Sequence, residues 1–130
     1  MPHNMPLPHK HGKHTEEILA KMPADEDFIE AADLFKQLGD GTRLKILWLL
    51  CHTEECGINI SSAVGMSQAA VSHHLKSLKL NSLIVSRRSG KEVYYTLADS
   101  ELAGLIHKTI ESYFSEICPS DELDLTEEEV

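Results

Sequence analysis

The sequence lacks the features that mark an exported or membrane-bound protein. None of its apolar runs approaches the roughly 18 residues that a membrane-spanning helix needs, and its first residues are polar rather than a hydrophobic signal. Its three cysteines are an odd number and do not suggest a disulfide framework, so we expect reduced thiols. These absences favour a cytoplasmic protein without a membrane partner.

The sequence also lacks the patterns that carry enzyme chemistry. No paired carboxylates, glycine-rich phosphate loop or Ser/His/Asp arrangement stands out in its 130 residues. The adjacent histidines His73 and His74 do not supply one, because neighbouring residues of a helix point about 100° apart and cannot share a substrate or a metal ion. We therefore expect neither an enzyme nor an organic cofactor.

Charge is distributed unevenly along the chain, whose formal net charge is −9. The stretch from Glu116 to Val130 holds seven acidic residues and no basic one. From Ser67 to Lys91, by contrast, there is no acidic residue, and the basic ones are Lys76, Lys79, Arg87, Arg88 and Lys91. Since salt screens exposed charges beyond about 10 Å, a local basic patch can bind phosphate groups in spite of an acidic total.

Helical periodicity and capping residues divide the chain into short helices. Apolar residues recur at three- and four-residue steps over residues 28–38, and Asp40 is suited to cap the helix that follows. A short helix over residues 59–64, a break at Gly65 and a second helix capped by Ser67 form a helix-turn-helix pattern.

A β-hairpin is predicted after the helix-turn-helix. Residues 83–88 and 92–97 are rich in β-branched and aromatic residues and flank the turn-forming pair Ser89–Gly90. Asp99 is then expected to cap a last helix. Several helices with a single hairpin behind a helix-turn-helix predict a mainly α fold of the α+β class, namely a winged helix-turn-helix domain with one hairpin wing.

The two ends of the chain set the expected limits of this domain. Residues 1–14 hold three prolines and four histidines without helical periodicity, which predicts a flexible arm. Residues 119–130 are acidic, and we expect a disordered tail there. The winged helix domain is expected to occupy residues 15–118.

The second helix of the helix-turn-helix has an outward face suited to DNA. Gln can bond adenine through two hydrogen bonds, Ser and His can reach bases or phosphates, and a helix N-terminus attracts phosphate. Basic residues around the hairpin tip would add contacts to the phosphate backbone. The residues expected to contact DNA are Ser67, Gln68, Ser72, His73, Lys76, Arg87, Arg88 and Lys91. A solvated helix face is the alternative, which the acid-free stretch and the hairpin disfavour; His74 is expected to pack within the domain.

Three segments resemble the ArsR/SmtB family of bacterial metal-responsive repressors, namely residues 34–50 (LFKQLGDGTRLKILWLL), 67–78 (SQAAVSHHLKSL) and 86–97 (SRRSGKEVYYTL). The resemblance covers roughly residues 28–118. It implies a homodimeric winged helix repressor that binds an operator in double-stranded DNA and is released by an effector, commonly a metal cation. In the family the first and last helices form the dimer interface. The partner-facing residues implied here are Leu102, Leu105, Ile106, Ile110 and Phe114.

The metal sites of the family match this chain only in part. In the site near the start of the helix-turn-helix, Cys56 stands at the first ligand position, but Ile58 and Asn59 stand where the second ligand is expected. In the site on the last helix, Ser112 and Ser115 replace the second pair of ligands. The resemblance therefore does not carry over a complete ligand set.

Other residues have the spacing or chemistry for a transition-metal ion such as zinc. His107 and Glu111 lie four residues apart, so both side chains project from one helix face and can chelate one ion. Thiolates and the histidines of the arm are further donors of the kind that zinc prefers. The candidate ligands are Cys56, His107, Glu111, Cys118, His9, His11 and His14. The alternatives are that His107 and Glu111 form an ordinary exposed pair on a helix, that Cys56 is a free thiol, and that the arm is solvated.

Two other functions stay open at the level of sequence. A pair among the three cysteines would allow thiol oxidants or reactive sulfur to act as the effector, although Glu54 and Glu55 are expected to raise the pKa of the Cys56 thiol and slow that chemistry. A winged helix that docks other proteins would need an exposed apolar patch on the hairpin, and residues 87–91 offer none.

Overall fold

The computed structural model describes residues 7–114, which form six helices and three strands. The elements are α1 (His14–Ala20), α2 (Asp25–Leu38), α3 (Gly41–His52), β1 (Glu55–Cys56), α4 (Gly57–Val64), α5 (Gln68–Leu80), β2 (Ile84–Ser89), β3 (Glu92–Leu97) and α6 (Glu101–Tyr113). Over this range no helix combines the length and the apolar character needed to cross a membrane. The predicted mainly α winged helix-turn-helix is confirmed.

The chain divides into two compact units, and the boundary lies between Lys36 and Gln37. The described part of the first unit holds α1 and most of α2, and none of its residues is buried. Large apolar side chains of α2 are exposed to water, among them Phe28 (49%), Ile29 (65%) and Phe35 (67%). Helix α1 begins at His14, so the last residue of the predicted arm is helical. The predicted tail at residues 119–130 lies outside the described residues.

The second unit contains the apolar core. Burial of each of these aliphatic side chains contributes about 1.5–3 kcal/mol to folding, and together they join α3, α4, α5, β2 and α6. The largest of them are Ile46, Leu47, Leu50, Ile60, Val71, Leu75, Leu78, Leu83, Ile84, Ile106 and Ile110. Helix α3 begins at the predicted cap, where the Asp40 carboxylate accepts a hydrogen bond of 2.9 Å from the backbone N–H of Arg43.

The turn between α4 and α5 is built from local hydrogen bonds. Gly65 ends α4 in the left-handed region, with φ 72° and ψ 33°. The backbone N–H of Met66 donates to the carbonyl of Ser61 at 3.1 Å, and that of Gly65 donates to the carbonyl of Ser62 at 3.3 Å, which is the pattern of a Schellman cap. The Ser67 hydroxyl then accepts from the backbone N–H of Ala70 at 3.1 Å and begins α5. The predicted helix-turn-helix is therefore confirmed.

The strands form one antiparallel sheet in the order β1-β3-β2. Strands β2 and β3 are the predicted wing, and their register pairs Arg87 with Tyr94, Arg88 with Val93 and Ser89 with Glu92. The two-residue turn between them begins at Gly90, whose φ of 63° suits a glycine.

Two details of the sequence interpretation change. The segment before α4, for which the sequence predicted no strand, contributes the two-residue strand β1 that pairs with β3. Helix α6 is capped by Ser100 rather than Asp99, since the Ser100 hydroxyl accepts from the backbone N–H of Ala103 at 3.1 Å. The cap moves by one residue, which is within the usual uncertainty of a helix boundary, whereas β1 depends on long-range pairing with β3.

We predict that Gly65→Ala lowers the free energy of unfolding by about 1–2 kcal/mol, because a Cβ in the left-handed region clashes with the backbone. No atom lies within 4 Å of the position that the new Cβ would take, so the loss reports on backbone conformation alone. Urea denaturation followed by circular dichroism measures it. Ser62→Ala, at an exposed position of α4, is the control and should change the value by less than about 0.5 kcal/mol. Equal stability of Gly65→Ala and wild type would contradict the turn.

Candidate nucleic-acid interface

Helix α5 has one buried face and one exposed face. Its apolar residues Val71, Leu75 and Leu78 are buried in the core. The side chains that the sequence indicated as outward-facing are all exposed, namely Gln68, Ser72, His73 and Lys76. Because these buried side chains anchor α5 to the core over two turns, its exposed face has a fixed orientation.

The N-terminal end of α5 is exposed as well. The Ser67 hydroxyl is used in the cap, while the next backbone N–H groups lie at the positive end of the helix dipole. An anion such as a phosphate is stabilised at such an end. Ser67 therefore orients the end of the helix, and the neighbouring Gln68 lies beside it.

The two adjacent histidines of α5 have different environments. His73 is exposed, whereas His74 is half-buried and its Nδ1 atom is shielded from solvent. The pKa of Asp40 is lowered, chiefly by the hydrogen bond from the backbone N–H of Arg43, with smaller effects from the charge of Arg43 and from the nearby His74. His74 thus faces the start of α3, and His73 is the more exposed of the two histidines.

A cleft of about 250 Å³, lined by both apolar and polar side chains, separates the N-terminal half of α5 from the wing. Gln68 and Ser72 line it from the helix, and Lys91 and Glu92 line it from the wing. The fold thus brings together residues that are 19 to 24 positions apart in the sequence. Lys79 connects α5 to strand β2 of the wing, since its Nζ donates a hydrogen bond of 2.7 Å to the Ser86 hydroxyl.

The basic residues of the wing are not equivalent. Arg88 and Lys91 are exposed near the turn. Arg87 is also exposed, but its guanidinium makes two hydrogen bonds of 2.7 Å to the carboxylate of Glu54. Sequence reasoning did not find this partner, because Glu54 lies 33 residues earlier and no local pattern connects the two.

Cys56 is a poorly exposed thiol at the start of α4, with 7% of its surface accessible. A hydrogen bond from the backbone N–H of Asn59 lowers the pKa of the thiol, but the carboxylate of Glu92, burial and the charge of Glu55 outweigh it, so the pKa is raised. The expected direction is confirmed, whereas the main acidic neighbour is Glu92 on the wing rather than Glu54. Glu92 lies near Cys56 because strand β1 pairs with strand β3, and this pairing cannot be recognised from the sequence.

The candidate metal ligands lie in separate parts of the fold. His107 Nε2 is shielded from solvent and lies 3.2 Å from Glu111 Oε2 on α6, and the ring of His107 contacts that of His52 on α3, with ring centroids 5.8 Å apart. Within residues 7–114 no three His, Cys, Asp or Glu side chains are placed to hold one ion. Cys118 lies outside that range.

The histidines of the arm do not complete a site either. His9, His11 and His14 are all exposed. The rings of His9 and His11 stack with centroids 6.0 Å apart, while His14 is the first residue of α1. All three remain candidate ligands.

The residues implied for a dimer interface divide into two groups. Leu105 (61%) and Phe114 (42%) are exposed and available to a partner. Ile106 (3%) and Ile110 (5%) are buried within the protomer itself, and Leu102 is half-buried. The core-facing and outward-facing sides of α6 are therefore distinct.

Comparison with known proteins gives consistent matches in sequence and structure. Residues 40–84 match the family model described as the bacterial regulatory protein, arsR family. A transcriptional repressor SmtB homolog of Synechocystis is 34% identical over 104 residues, which cover 78% of this chain and 79% of that protein. A homolog of the cadmium resistance transcriptional regulatory protein CadC of Staphylococcus aureus is 36% identical over 86 residues, covering 65% and 71%.

Solved structures give the same result. The homodimeric winged helix-turn-helix DNA-binding domain of a Mycobacterium bovis protein is 30% identical, with a TM-score of 0.60. The similarity covers 70% of this chain and 86% of that domain.

We predict that Glu92→Gln lowers the pKa of the Cys56 thiol, because it replaces a carboxylate by a neutral amide. Alkylation of Cys56 by iodoacetamide should then reach its half-maximal rate at lower pH than in wild type, since the thiolate is the reactive form. Mass spectrometry of the Cys56 peptide over a pH series gives this profile, and the Cys51 peptide is the internal control. A Cys56 profile that Glu92→Gln leaves in place would contradict the role of Glu92.

Proposed function

This chain belongs to the arsR family of bacterial regulatory proteins and is a DNA-binding transcriptional regulator rather than an enzyme. We propose that it is a homodimeric repressor and that a metal ion releases it from its operator. The observation that carries the DNA-binding part is the division of α5 into a buried face and an exposed face. The exposed face lies across a cleft from the basic wing.

Direct contacts to DNA bases are assigned to the N-terminal half of α5. Gln68 and Ser72 lie four residues apart on one side of the helix, and His73 lies next to them. A helix inserted into the major groove presents such residues to base edges, where Gln can bond adenine through two hydrogen bonds. Lys76, Arg88 and Lys91 are assigned to phosphates, since each is exposed and Lys91 lies across the cleft from Gln68.

A homodimer is supported by apolar surface that a single protomer leaves in water. Phe28, Ile29 and Phe35 of α2 and Leu105 of α6 are each about half or more exposed. Exposed apolar side chains of this size on one helix mark an interaction surface, and the similar M. bovis domain is homodimeric. Two copies would present two recognition helices to half-sites one helical turn apart.

A metal ion is the effector class best supported by the chemistry of the chain. An imidazole nitrogen and a carboxylate oxygen at 3.2 Å repel one another unless a proton or a cation lies between them, and His107 and Glu111 make this approach on α6. One of the similar proteins is named for cadmium resistance. A zinc-type site needs about four ligands. The described residues supply only this pair at one place, so the pair would need further donors.

The alternatives have less support. The raised pKa of Cys56 lowers the thiolate fraction on which sensing of oxidants or reactive sulfur depends. A protein-docking wing would need an apolar tip. Although Val85 is 46% exposed at the base of β2, the tip consists of Arg88, Ser89, Gly90 and Lys91, all exposed.

For DNA binding, we predict that Gln68→Ala weakens binding to the duplex upstream of the protein's own coding region by about 1–3 kcal/mol and weakens binding to a scrambled duplex much less. Lys76→Ala should weaken both duplexes alike and reduce the salt dependence by about one counterion. Fluorescence anisotropy over a salt series measures both effects.

The charge-matched control for this experiment is Lys108→Ala on α6, which should leave the salt dependence unchanged. Affinity of the wild-type protein that is indifferent to salt would contradict the DNA-binding proposal. Equal loss on both duplexes with Gln68→Ala would remove Gln68 from base recognition.

For the effector, we predict that His107→Ala weakens zinc or cadmium binding at least tenfold. Loss of a group that merely supports a metal ligand costs about 10–100-fold in affinity, and loss of a ligand itself should cost no less. Competition with a chromophoric chelator measures affinity without DNA, and release from the upstream duplex measures the response.

His11→Ala is the matched control for the effector experiment, because it removes an exposed histidine of the arm. If zinc, cadmium, copper(I) and nickel all fail to release wild-type protein, the metal effector is wrong. Release that His107→Ala leaves intact would move the site away from α6.

A further inference from the structure

Arg87 is held by an arrangement that spans the whole sheet. Its Nε and Nη2 atoms donate to Oε2 and Oε1 of Glu54, both at 2.7 Å. Its guanidinium also lies over the ring of Tyr94, 4.9 Å from the centroid. Arg87 is on the outer strand β2, Tyr94 is on the central strand β3, and Glu54 directly precedes the other outer strand β1. The arginine thus reaches across the sheet and ties the wing to the segment that follows α3.

This contact uses the guanidinium in its strongest mode. Two parallel charge-assisted hydrogen bonds fix both the distance and the angle between the groups, and stacking on an aromatic ring adds to the attraction. In agreement, the hydrogen bonds from Arg87 lower the pKa of Glu54, and the same contact raises the pKa of Arg87. A guanidinium whose fork already holds a carboxylate has fewer donors left for a phosphate.

The two adjacent arginines lie on opposite faces of the wing, because side chains alternate along a strand. Arg88 pairs in register with Val93, and Val93 lines the cleft that faces α5. Arg87 pairs with Tyr94, which does not line that cleft and lies on the other face. Only Arg88 therefore shares the face of the wing that is turned toward the recognition helix.

We propose that Arg87 is a positioning residue, which holds the wing in place through Glu54, and that it does not neutralise a DNA phosphate. Glu54 acquires a role in DNA binding although it carries the same charge as DNA. The phosphate contacts of the wing are then left to Arg88 and Lys91. This inference rests on the proposed function, since it assigns different roles to residues of the same DNA interface.

The salt dependence of DNA binding separates positioning from phosphate contact. Each phosphate contact contributes a slope of about −0.9 to log K against log salt. The probe is a fluorescent random-sequence duplex, and the variants are Arg87→Ala, Glu54→Ala, the double variant, Arg87→Lys and, as the matched control, Arg88→Ala. Arg88→Ala should reduce the slope by about one contact. Arg87→Ala should weaken binding with an unchanged slope.

The Glu54 variants give the sharpest contrast. Removing a carboxylate from a protein that binds a polyanion is expected to strengthen binding if charge alone matters. Positioning predicts the opposite: Glu54→Ala weakens binding about two- to fivefold, as expected for loss of one exposed ion pair. Arg87→Ala should lose a similar factor, and the double variant no more than either single one, because the two residues act as one unit.

Arg87→Lys distinguishes the two roles a second time. Lysine keeps the charge that a phosphate contact needs but loses the fork that binds Glu54, so positioning predicts that it behaves like Arg87→Ala. A slope reduced by about one in Arg87→Ala, together with stronger binding by Glu54→Ala, would overturn the proposal. Wild-type behaviour of Arg87→Lys would do the same.

Amide hydrogen exchange of the DNA-free protein keeps this inference separate from the proposed function. Faster exchange of β2 and β3 amides in both Arg87→Ala and Glu54→Ala supports the contact across the sheet, and unchanged exchange in both overturns it. Failure of the wild-type protein to bind any duplex would instead contradict the proposed function.

Discussion

One-sided burial of α5 is the constraint on which the rest of the structure depends. Val71, Leu75 and Leu78 fix the helix against the core, so Ser72, His73 and Lys76 on its other side are turned to solvent. The Schellman cap at Gly65 and the hydroxyl of Ser67 set where this helix begins, and hence which side chains face outward. A DNA-reading surface thus follows from packing rather than from a mobile loop, and its polar residues need no partner within the protein.

The wing shows how a net acidic protein can present a basic edge. Alternation along β2 sends Arg87 and Arg88 to opposite faces, and the carboxylates of Glu54 and Glu92 lie close to the basic residues of the hairpin. Glu54 neutralises one arginine, and Glu92 acts on the thiol of Cys56. The segment 54–56 is therefore tied to the wing by an ion pair, by strand pairing and by the Cys56 thiol. A change in this segment has a direct structural route to the wing.

Local chemistry made much of this predictable from the sequence. The caps at Asp40 and Ser67 and the turn at Gly65 each depend on residues within four positions, as does the outward face of α5. Long-range pairing was not predictable: the contact of Glu54 with Arg87 and the strand β1 arise only when the sheet assembles. The same holds for α6, whose apolar periodicity marks Ile106 and Leu105 alike, although one is buried in the protomer and the other exposed.

The central claim is that the outer face of α5 and the tip of the wing form one DNA-binding surface. Titration of the isotope-labelled protein with duplex DNA, followed by amide NMR shifts, tests it most directly. The largest shifts are expected to cluster at residues 67–76 and 88–91 and to change together at one stoichiometry. Shifts concentrated on α1, α2 or α6, with both of these segments unaffected, would contradict it.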